Sequence, residues 1–313
     1  MFARRGNAAC APPVVIGMRV VGVSEFGDPE ALRIHEVPER HAGTGEVRLR
    51  VGAATVNPTD VALRAGWFKE RQEGHEPPYV PGMDAAGVID EIGEGTSTDL
   101  RVGDEVMAVV VPRGGHGAYS EHLVLPAESV ARVPTGVDLA TASTLPMSGL
   151  TARLALDELG LGAGQTLAVT GAAGALGGYV IQLAKADGLK VVADAADKDR
   201  ALVESLGADV IVARGDDFAE RVREVEPAGA HGAVDAALLD AKIEPAVRDG
   251  GGIATATCRC SSRVTPRSGP SSTGCASRSR TARSRCAWPT PTRPSERPKR
   301  TAASRPEVCA AAW

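Results

Sequence analysis

Aromatic residues are scarce in this sequence, at only 3% of the chain. A core with so few rings has to be built from Val, Leu, Ile and Ala, which suits parallel strands buried between helices. No apolar run reaches the roughly 18 residues of a transmembrane helix, so the sequence predicts no membrane partner. The N-terminal residues also lack the apolar segment of a signal peptide, and we expect a cytoplasmic protein.

Cysteine is nearly absent from the first 257 residues, where only Cys10 occurs. This usage fits a reducing compartment rather than a disulfide framework. A formal net charge of −4 disfavours a general nucleic-acid binder. The remaining cysteines, which lack paired zinc-knuckle spacing, are Cys258, Cys260, Cys275, Cys286 and Cys309.

The length of 313 residues and an apolar content of 43% predict two domains. Residues 1–17 form an N-terminal extension, and Met18 is an alternative start. From Met18 to Thr141, short alternating strands are separated by turn residues, which indicates a small β-rich domain. From residue 142 to residue 257, strands alternate with helices, which predicts an α/β domain with a parallel sheet.

A glycine-rich segment reads as strand, tight turn and helix without interruption. The apolar run Leu167–Val169 precedes three glycines at every third position, and apolar residues then recur with helical period. In such a loop one glycine permits the turn, one lets the backbone approach a pyrophosphate, and one lets the helix pack on the strand. The unpaired N–H groups of the helix start bind the anion. The predicted cofactor-binding residues of this loop are Gly171, Gly174, Ala175, Leu176 and Gly177.

An acidic residue follows at the spacing that a dinucleotide site requires. Asp194 ends the next apolar strand, 20 residues after Gly174, where a ribose-binding carboxylate is expected. Asp194 favours NADH because a carboxylate repels a 2′-phosphate. Lys198 and Arg200, which begin the predicted helix from residue 197 to residue 206, favour NADPH if they pair with that phosphate. Alternatively, Lys198 and Arg200 only form a solvated helix face. Because Asp194 and these basic residues favour different cofactors, the expected cofactor is NADPH or NADH.

Six motifs occur in a fixed order between Met18 and Thr257. They are Val23–Leu32, Asn57–Asp60 followed by Arg64 and Gly66, Pro81–Val88, Gly103–Val106, Gly149–Ala152 and Gly171–Gly177. In this order and spacing the sequence resembles the medium-chain dehydrogenase/reductase superfamily, in its zinc-free quinone oxidoreductase branch, which is zeta-crystallin-like. The resemblance implies a GroES-like catalytic domain joined to a doubly wound Rossmann sheet. It also implies a homodimer that transfers hydride from NAD(P)H, usually NADPH, to a quinone or an activated alkene.

The resemblance also assigns site residues. Asn57, Asp60 and Arg64 are the candidate catalytic residues, and Asn57 joins Thr151 in the cofactor-binding set. For Asp60 and Arg64 the alternative is an internal ion pair that holds the loop.

Two aromatic residues follow these candidates in the sequence. Trp67 and Phe68 are either walls of the substrate pocket or ordinary core residues. Related sequences often have Tyr here, and its loss leaves this position without a phenolic proton donor.

Zinc is not expected in this chain. Asn57 and Met83 stand where the alcohol dehydrogenase branch has a Cys and a His ligand, and zinc favours thiolate and imidazole. His116 and His122 match no usual zinc spacing and are interpreted as polar surface residues. Without a metal to polarise an alcohol, reduction of an electron-poor acceptor is the expected direction.

The segment 258–313 does not fit the resemblance, because it contains no Leu, Ile, Met, Phe or Tyr. Counted from Thr255, the segment has eleven Arg and one Lys against two Glu, a net charge of +10. We interpret 258–313 as a disordered basic tail produced by a frameshift, which removes the sixth Rossmann strand and the dimer edge. The alternatives are a genuine basic appendage or a cysteine-rich metal segment. Three interpretations of the function stay open. The protein is an active reductase, a catalytically impaired nucleotide-binding remnant, or a non-enzymatic zeta-crystallin-like binding protein.

Overall fold

The computed structural model describes residues 17–255. The predicted N-terminal extension, apart from Gly17, and the basic tail lie outside these residues. The described chain forms two compact units, the first ending at Thr144 and the second beginning at Leu145. The domain limits drawn from the sequence stay predictions. Within residues 17–255 no helix is long and apolar enough to cross a membrane.

The first unit is rich in antiparallel strands. Its elements are β1 (Gly17–Gly22), β2 (Arg33–Pro38), β3 (Glu46–Ala54), α1 (Pro58–Arg64), β4 (Asp84–Ile92), β5 (Glu105–Val109), β6 (His122–Pro126), β7 (Val130–Arg132) and α2 (Leu139–Ala142). Strands β1 and β2 form a ribbon, and the other five form a sheet in the order β6-β3-β4-β5-β7. Along β3, Val47, Leu49 and Val51 are buried and alternate with more exposed residues, as a sheet with one buried face requires.

The pairing of β3 with β4 brings two distant parts of the sequence together. Ala54, the last residue of β3, pairs with Ala85 near the start of β4. The chain leaves β3 towards Asn57, which precedes α1, and β4 begins at Asp84. The register of this strand pair therefore positions the candidate catalytic residues.

The second unit is a parallel α/β sheet. Its elements are α3 (Pro146–Leu159), β8 (Thr166–Thr170), α4 (Ala175–Ala186), β9 (Lys190–Ala195), α5 (Arg200–Ser205), β10 (Val210–Ala213), α6 (Phe218–Val225), β11 (Ala230–Asp235) and β12 (Val247–Thr255). The strands are parallel and lie in the order β10-β9-β8-β11-β12. Numbered within the unit this order is 3-2-1-4-5, that of the Rossmann sheet. The predicted fold class is confirmed; the predicted loss of the sixth strand lies outside the described residues.

Strand β8 lies at the centre of this sheet and is buried on both faces. Leu167 and Val169 pack in one core cluster with Val180 of α4. Ala168 packs in another with Phe218 of α6. Alternating side chains thus anchor helices on both faces, each fully buried Leu or Val contributing about 1.5–3 kcal/mol. The carboxyl end of β8 therefore delivers the glycine loop to the point between β8 and β11 where the strand order reverses. Ligands bind at such a point in open α/β sheets.

Candidate functional site

The three glycines after β8 have three different structural roles. Gly171 has φ +66, and a Cβ there would lie 3.0 Å from the carbonyl carbon of Ala236. At Gly177 a Cβ would lie 2.3 Å from the oxygen of Gly171 and 2.8 Å from Cα of Ala172, so this glycine permits close packing of α4. At Gly174 a Cβ would meet only the Gly171 oxygen, at 3.1 Å. A side chain at position 174 would thus meet fewer protein atoms than one at position 171 or 177. The role predicted for Gly174, close approach of a pyrophosphate, stays a prediction.

The start of α4 is suited to an anion. Gly174 and Ala175 are exposed, and the first turn contains no acidic side chain. The first N–H groups of a helix have no partner within the helix, and the helix dipole adds positive potential there. The N–H of Gly174 donates to the oxygen of Gly171 at 2.9 Å, so the open donors are those of the first turn. The residues present therefore fit the pyrophosphate of a dinucleotide, held by backbone N–H groups from Ala175 to Gly177.

Asp194 lies in β9 and is only 3% exposed. Its Oδ1 accepts a hydrogen bond from the backbone N–H of Ala172 at 3.0 Å, within the glycine loop. Its Oδ2 accepts from Nε of Arg214 at 2.8 Å. The protein thus uses both carboxylate oxygens, and Asp194 holds the loop in place. Its predicted contact with a ribose hydroxyl stays a prediction.

Arg214, which the sequence reasoning missed, directly follows β10 and has a side chain 43% exposed. Its backbone N–H donates to the oxygen of Ala195 at 2.9 Å. Ala213 pairs with Ala195 in the parallel sheet. Arg214 therefore lies beside Asp194, although the two are 20 positions apart in the sequence. The available sequence signal was an arginine at the carboxyl end of the third strand of the βαβ series.

The two basic residues predicted for a 2′-phosphate occupy different environments. Lys198 is exposed in a 3₁₀ turn, Asp197–Asp199. Arg200 begins α5, and its Nη1 donates to the oxygen of Ile211 at 3.4 Å. The helix predicted from residue 197 to residue 206 is present, with a 3₁₀ first turn followed by α5 and with Leu206 as its C-cap. The phosphate-binding role of both residues stays a prediction.

Thr151 lies in the interior of α3 and is half-buried. Its hydroxyl donates to the carbonyl oxygen of Met147, one turn earlier, at 2.7 Å. The proton of this hydroxyl is therefore used within the helix, and its oxygen can still accept a hydrogen bond. The cofactor-binding role of Thr151 stays a prediction.

A strained loop follows β11 beside the glycine loop. Asp235 is fully buried, and its Oδ1 accepts from the hydroxyl of Thr170 at 2.6 Å. Its Oδ2 accepts from the backbone N–H of Asp240 at 2.9 Å. Between these anchors Leu238 has φ 60, and Asp240 has φ 55, a conformation that costs a non-glycine residue free energy. Asp235 therefore fixes two loops together at the carboxyl edge of the sheet.

The first unit contains a compact polar cluster around Asn57. The backbone N–H of Asn57 donates to Oδ2 of Asp60 at 2.7 Å, and its side-chain Nδ2 donates to Oδ2 of Asp84 at 2.6 Å. Asp60 also accepts from the backbone N–H of Gly82 at 3.0 Å and from the hydroxyl of Tyr119 at 3.3 Å. The structure therefore brings the predicted Asn57 and Asp60 together and adds Asp84 and Tyr119.

Both carboxyl groups of this cluster are buried, Asp60 at 3% exposure and Asp84 at 0%. Burial, with a smaller contribution from the nearby Asp84, raises the pKa of Asp60 to about 6. Hydrogen bonds from Asn57, Gly82 and Tyr119 oppose this shift because they stabilise the charged form. Asp60 therefore titrates nearer to neutral pH than an ordinary aspartate.

Arg64 has a different partner from the one proposed. Its Nη1 donates to the carbonyl oxygen of Gly27 at 2.6 Å, and the N–H of Gly27 donates back to the Arg64 oxygen at 2.9 Å. The internal ion pair between Asp60 and Arg64 is therefore wrong. Asp60 is satisfied by neutral donors in a buried position, where a guanidinium would lose its hydration. Arg64 instead ties α1 to the loop at Gly27.

The two aromatic residues after α1 separate into different environments. Phe68 is 9% exposed and packs with Ala62 and Leu63, with the guanidinium of Arg71 4.4 Å from its ring centre. Trp67 is 55% exposed. Core packing is thus correct for Phe68 and wrong for Trp67, whose role as a pocket wall stays a prediction.

The two histidines interpreted as polar surface residues are half-buried. Burial lowers the pKa of His116 to about 4, so its ring is neutral at pH 7. Nε2 of His122 lies 3.4 Å from Oδ2 of Asp90. Among residues 17–255 no group of three or more His, Cys, Asp or Glu side chains is arranged to hold a metal ion.

The fold and the glycine loop together define a dinucleotide-binding α/β protein with an additional antiparallel unit. Residues 43–135 match the family model described as the alcohol dehydrogenase GroES-like domain. An alcohol dehydrogenase of Geobacillus stearothermophilus is 31% identical over 263 residues, which cover 75% of this chain and 76% of that protein. The chain therefore belongs to the medium-chain dehydrogenase/reductase superfamily.

Two further relatives are reductases. The chloroplastic quinone-oxidoreductase QR1 of Triphysaria versicolor is 33% identical over 62% of this chain and 60% of its own. The chloroplastic NADPH-dependent alkenal/one oxidoreductase of Arabidopsis thaliana is 35% identical over 60% of this chain and 50% of its own. The chain thus spans about half to three fifths of the length of these relatives.

Solved structures show the same superfamily and different cofactors. A structure titled NAD-dependent alcohol dehydrogenase is 30% identical, with a TM-score of 0.67 over 76% of this chain and 77% of that one. A mycobacterial protein in complex with NADPH is 28% identical, with a TM-score of 0.65 over 76% of this chain and 73% of that one. The likeness therefore supports a nicotinamide cofactor, and the choice between the two nicotinamides depends on this chain's own residues.

Proposed function

We propose that this protein is an NADPH-dependent oxidoreductase that reduces a quinone or an activated alkene, such as an enone, without zinc. The observation that carries the proposal is the open backbone cradle at Gly174, together with the closely packed Gly177 behind it. A bound nicotinamide supplies the hydride, and the protein orients it and the acceptor. The quinone and alkenal reductases among the relatives support the same reaction class.

The residues around Asn57 support an electron-poor apolar acceptor rather than an alcohol. Asn57 and Met83 stand where a zinc-dependent relative would have its ligands, and an amide and a thioether are poor zinc ligands. Val56, Val61 and Trp67, close to Asn57 in the sequence, are large apolar side chains about half exposed. A quinone or enone needs a positioned hydride donor and a proton rather than a Lewis acid. These features favour a planar, apolar acceptor.

Arg214 is the basis for the choice of NADPH. It lies beside Asp194, the position expected to meet the ribose, and pairs with the carboxylate that would otherwise repel a 2′-phosphate. Its partly exposed guanidinium can pair with a phosphate through charge-assisted hydrogen bonds. The NADPH named for two of the similar proteins points the same way.

The test is fluorescence titration with NADPH and NADH of the wild type and Arg214→Leu. We expect NADPH affinity to fall by more than about tenfold, since a charge-assisted hydrogen bond contributes about 1.5–3 kcal/mol, while NADH affinity is retained. Arg221→Leu is the matched control, because Arg221 is also partly exposed and paired with an aspartate, Asp217, but lies on α6. Equal losses for both cofactors in Arg214→Leu would contradict the assignment.

A turnover assay with a set of quinones and enones tests the reaction itself. Reduction with NADPH is the expected result. Tight NADPH binding without turnover of any acceptor would favour the alternative, a catalytically impaired nucleotide-binding protein. The homodimer and the cytoplasmic location stay predictions of the sequence.

A further inference from the structure

We propose that Leu238 contacts the nicotinamide half of the bound cofactor and helps to hold the ring in place. This inference rests on the proposed function, in which a dinucleotide binds along the carboxyl edge of the parallel sheet. It goes further by assigning a cofactor contact to the loop 236–240, which follows β11 and in which the sequence reasoning named no site residue.

The backbone at Leu238 is strained. Its φ is 60, and in this left-handed region the Cβ of an L-residue comes too close to a neighbouring carbonyl oxygen. Asp240, with φ 55, is the other non-glycine residue with positive φ in residues 17–255, but aspartate tolerates this conformation better than leucine does. Strain of this kind clusters at ligand-binding sites. Leu238 is therefore the residue of the loop whose conformation most needs an explanation.

Packing in the hydrophobic core does not account for this strain. Leu239 packs against the core cluster that contains Phe218 and Ile243, and the 3₁₀ helix that begins at Asp240 continues into that cluster. Leu238 is half-buried and belongs to none of the core clusters of residues 17–255. The chain thus places one leucine in the core and keeps the preceding leucine outside it.

The loop is held against the start of the glycine loop. The N–H of Ala237 donates to the hydroxyl of Thr170, the last residue of β8, at 3.2 Å. A Cβ at Gly171 would lie 3.0 Å from the carbonyl carbon of Ala236 and 3.1 Å from the nitrogen of Ala237, so this glycine allows the two loops to touch. Leu238 directly follows Ala237, and its position relative to the glycine loop is therefore fixed.

The strand order indicates which half of a dinucleotide reaches this loop. Arg214, proposed to bind the 2′-phosphate, follows β10, and the pyrophosphate is proposed to bind at the start of α4, after β8. In the order β10-β9-β8-β11-β12, the loop 236–240 lies on the opposite side of β8 from Arg214. A dinucleotide with its adenosine half near β9 and β10 therefore extends its nicotinamide half over β11. An apolar side chain such as that of Leu238 is suited to pack against the ring.

The test is fluorescence titration of the full-length chain with NADPH. Leu238→Gly removes the side chain, and the affinity should fall by about tenfold, the effect of losing an apolar contact of one or two methyl groups. Leu238→Met keeps an apolar side chain and should stay within about threefold of the wild type. Asp240→Gly is the matched control, because it relieves the other strained backbone position of the loop at an exposed side chain, and NADPH affinity should not change.

Thermal unfolding separates a cofactor contact from a structural role. In Leu238→Gly the relief of strain offsets the greater freedom of glycine in the unfolded chain, so Tm should change little. A large fall in Tm would show that Leu238 stabilises the fold and would contradict the proposal.

A second ligand identifies the part of the cofactor that meets Leu238. The probe is 2′-phospho-ADP-ribose, which is NADPH without the nicotinamide ring. In calorimetric titrations Leu238→Gly should bind this probe as tightly as the wild type does. An equal loss for NADPH and the probe would show that the substitution disturbs the glycine loop instead, and unchanged NADPH binding would show that there is no contact. Either result overturns the proposal.

Nuclear magnetic resonance of the wild type gives a test that does not depend on a folded variant. The methyl signals of Leu238 should shift when NADP⁺, whose nicotinamide ring is aromatic, is added, and should shift much less with 2′-phospho-ADP-ribose. Equal shifts with the two ligands would contradict the ring contact. A wild type that binds neither NADPH nor NADH would refute the proposed function and this inference together, whereas tight NADPH binding that is unchanged in Leu238→Gly would refute this inference alone.

Discussion

Replacing Gly174 with Val should weaken NADPH binding by well over tenfold and leave the fold intact. Gly174 has φ −85 and ψ 168, which any L-residue adopts, and a Cβ there would meet only one protein atom within 4 Å. The fold therefore loses about 1 kcal/mol from the preference for glycine over valine at a helix N-cap, together with a small shift that relieves the 3.1 Å contact with the Gly171 oxygen. The branched side chain occupies the space that the pyrophosphate needs. Losing one or two charge-assisted hydrogen bonds of about 1.5–3 kcal/mol each gives the expected loss of affinity.

Two other glycines of the same segment are matched controls. Gly177→Ala places a Cβ 2.3 Å from the Gly171 oxygen, and such overpacking costs about 1–3 kcal/mol. Gly178→Ala places a Cβ 3.4 Å from the side chain of Leu206, an ordinary contact, and gains up to about 1 kcal/mol of helix propensity.

Fluorescence titration with NADPH and thermal unfolding of the three variants separate these effects. For a chain of this size about 1 kcal/mol corresponds to roughly 2–4 °C in Tm. Gly174→Val should lose affinity with little change in Tm, Gly177→Ala should lose several degrees, and Gly178→Ala should keep both. An unchanged NADPH titration for Gly174→Val would refute pyrophosphate binding at Gly174. Equal Tm values for Gly177→Ala and Gly178→Ala would refute the close packing of Gly177 against the Gly171 oxygen.

Three further predictions concern the first unit. The pKa of Asp60 is raised in the folded state to about 6, so stability relative to Asp60→Asn should fall as pH rises from about 4 to 6, by up to about 3 kcal/mol. Urea unfolding of the wild type and Asp60→Asn at pH 4 and pH 7 measures this change. A difference in the free energy of unfolding that does not vary with pH would contradict the raised pKa of Asp60. Arg64→Ala should lower the free energy of unfolding by about 1–3 kcal/mol because the hydrogen bond to Gly27 is lost. A loss of kcat with unchanged unfolding would instead indicate that Arg64 is catalytic. Exhaustive chelation should leave quinone reduction intact, whereas stoichiometric zinc whose removal abolishes activity would disprove metal independence.

Local patterns were sufficient to predict the order of elements and the glycine loop. Strand, turn and helix signals within about 20 residues of each other depend on backbone preferences and hydrophobic period, which are properties of neighbouring residues. The turn at Gly171 and the close packing at Gly177 therefore match the structure, and so does the parallel sheet that follows from alternating strands and helices. The approach of a pyrophosphate to Gly174 stays a prediction. The helix predicted from residue 197 differs only in its first turn, which is 3₁₀ rather than α, because periodicity does not specify the local geometry of helix ends.

Contacts between distant segments were decided only by the tertiary structure. Arg214 meets Asp194 because β9 and β10 pair in one particular register, and Asp84 meets Asn57 because β3 and β4 do. Adjacent residues in the sequence do not share an environment either: Phe68 enters the core, and its neighbour Trp67 is exposed. The sequence by itself determined which chemical groups are present and where strands and helices form. Sheet register and burial determined which groups meet, because these depend on the packing of the whole unit rather than on any short stretch of chain.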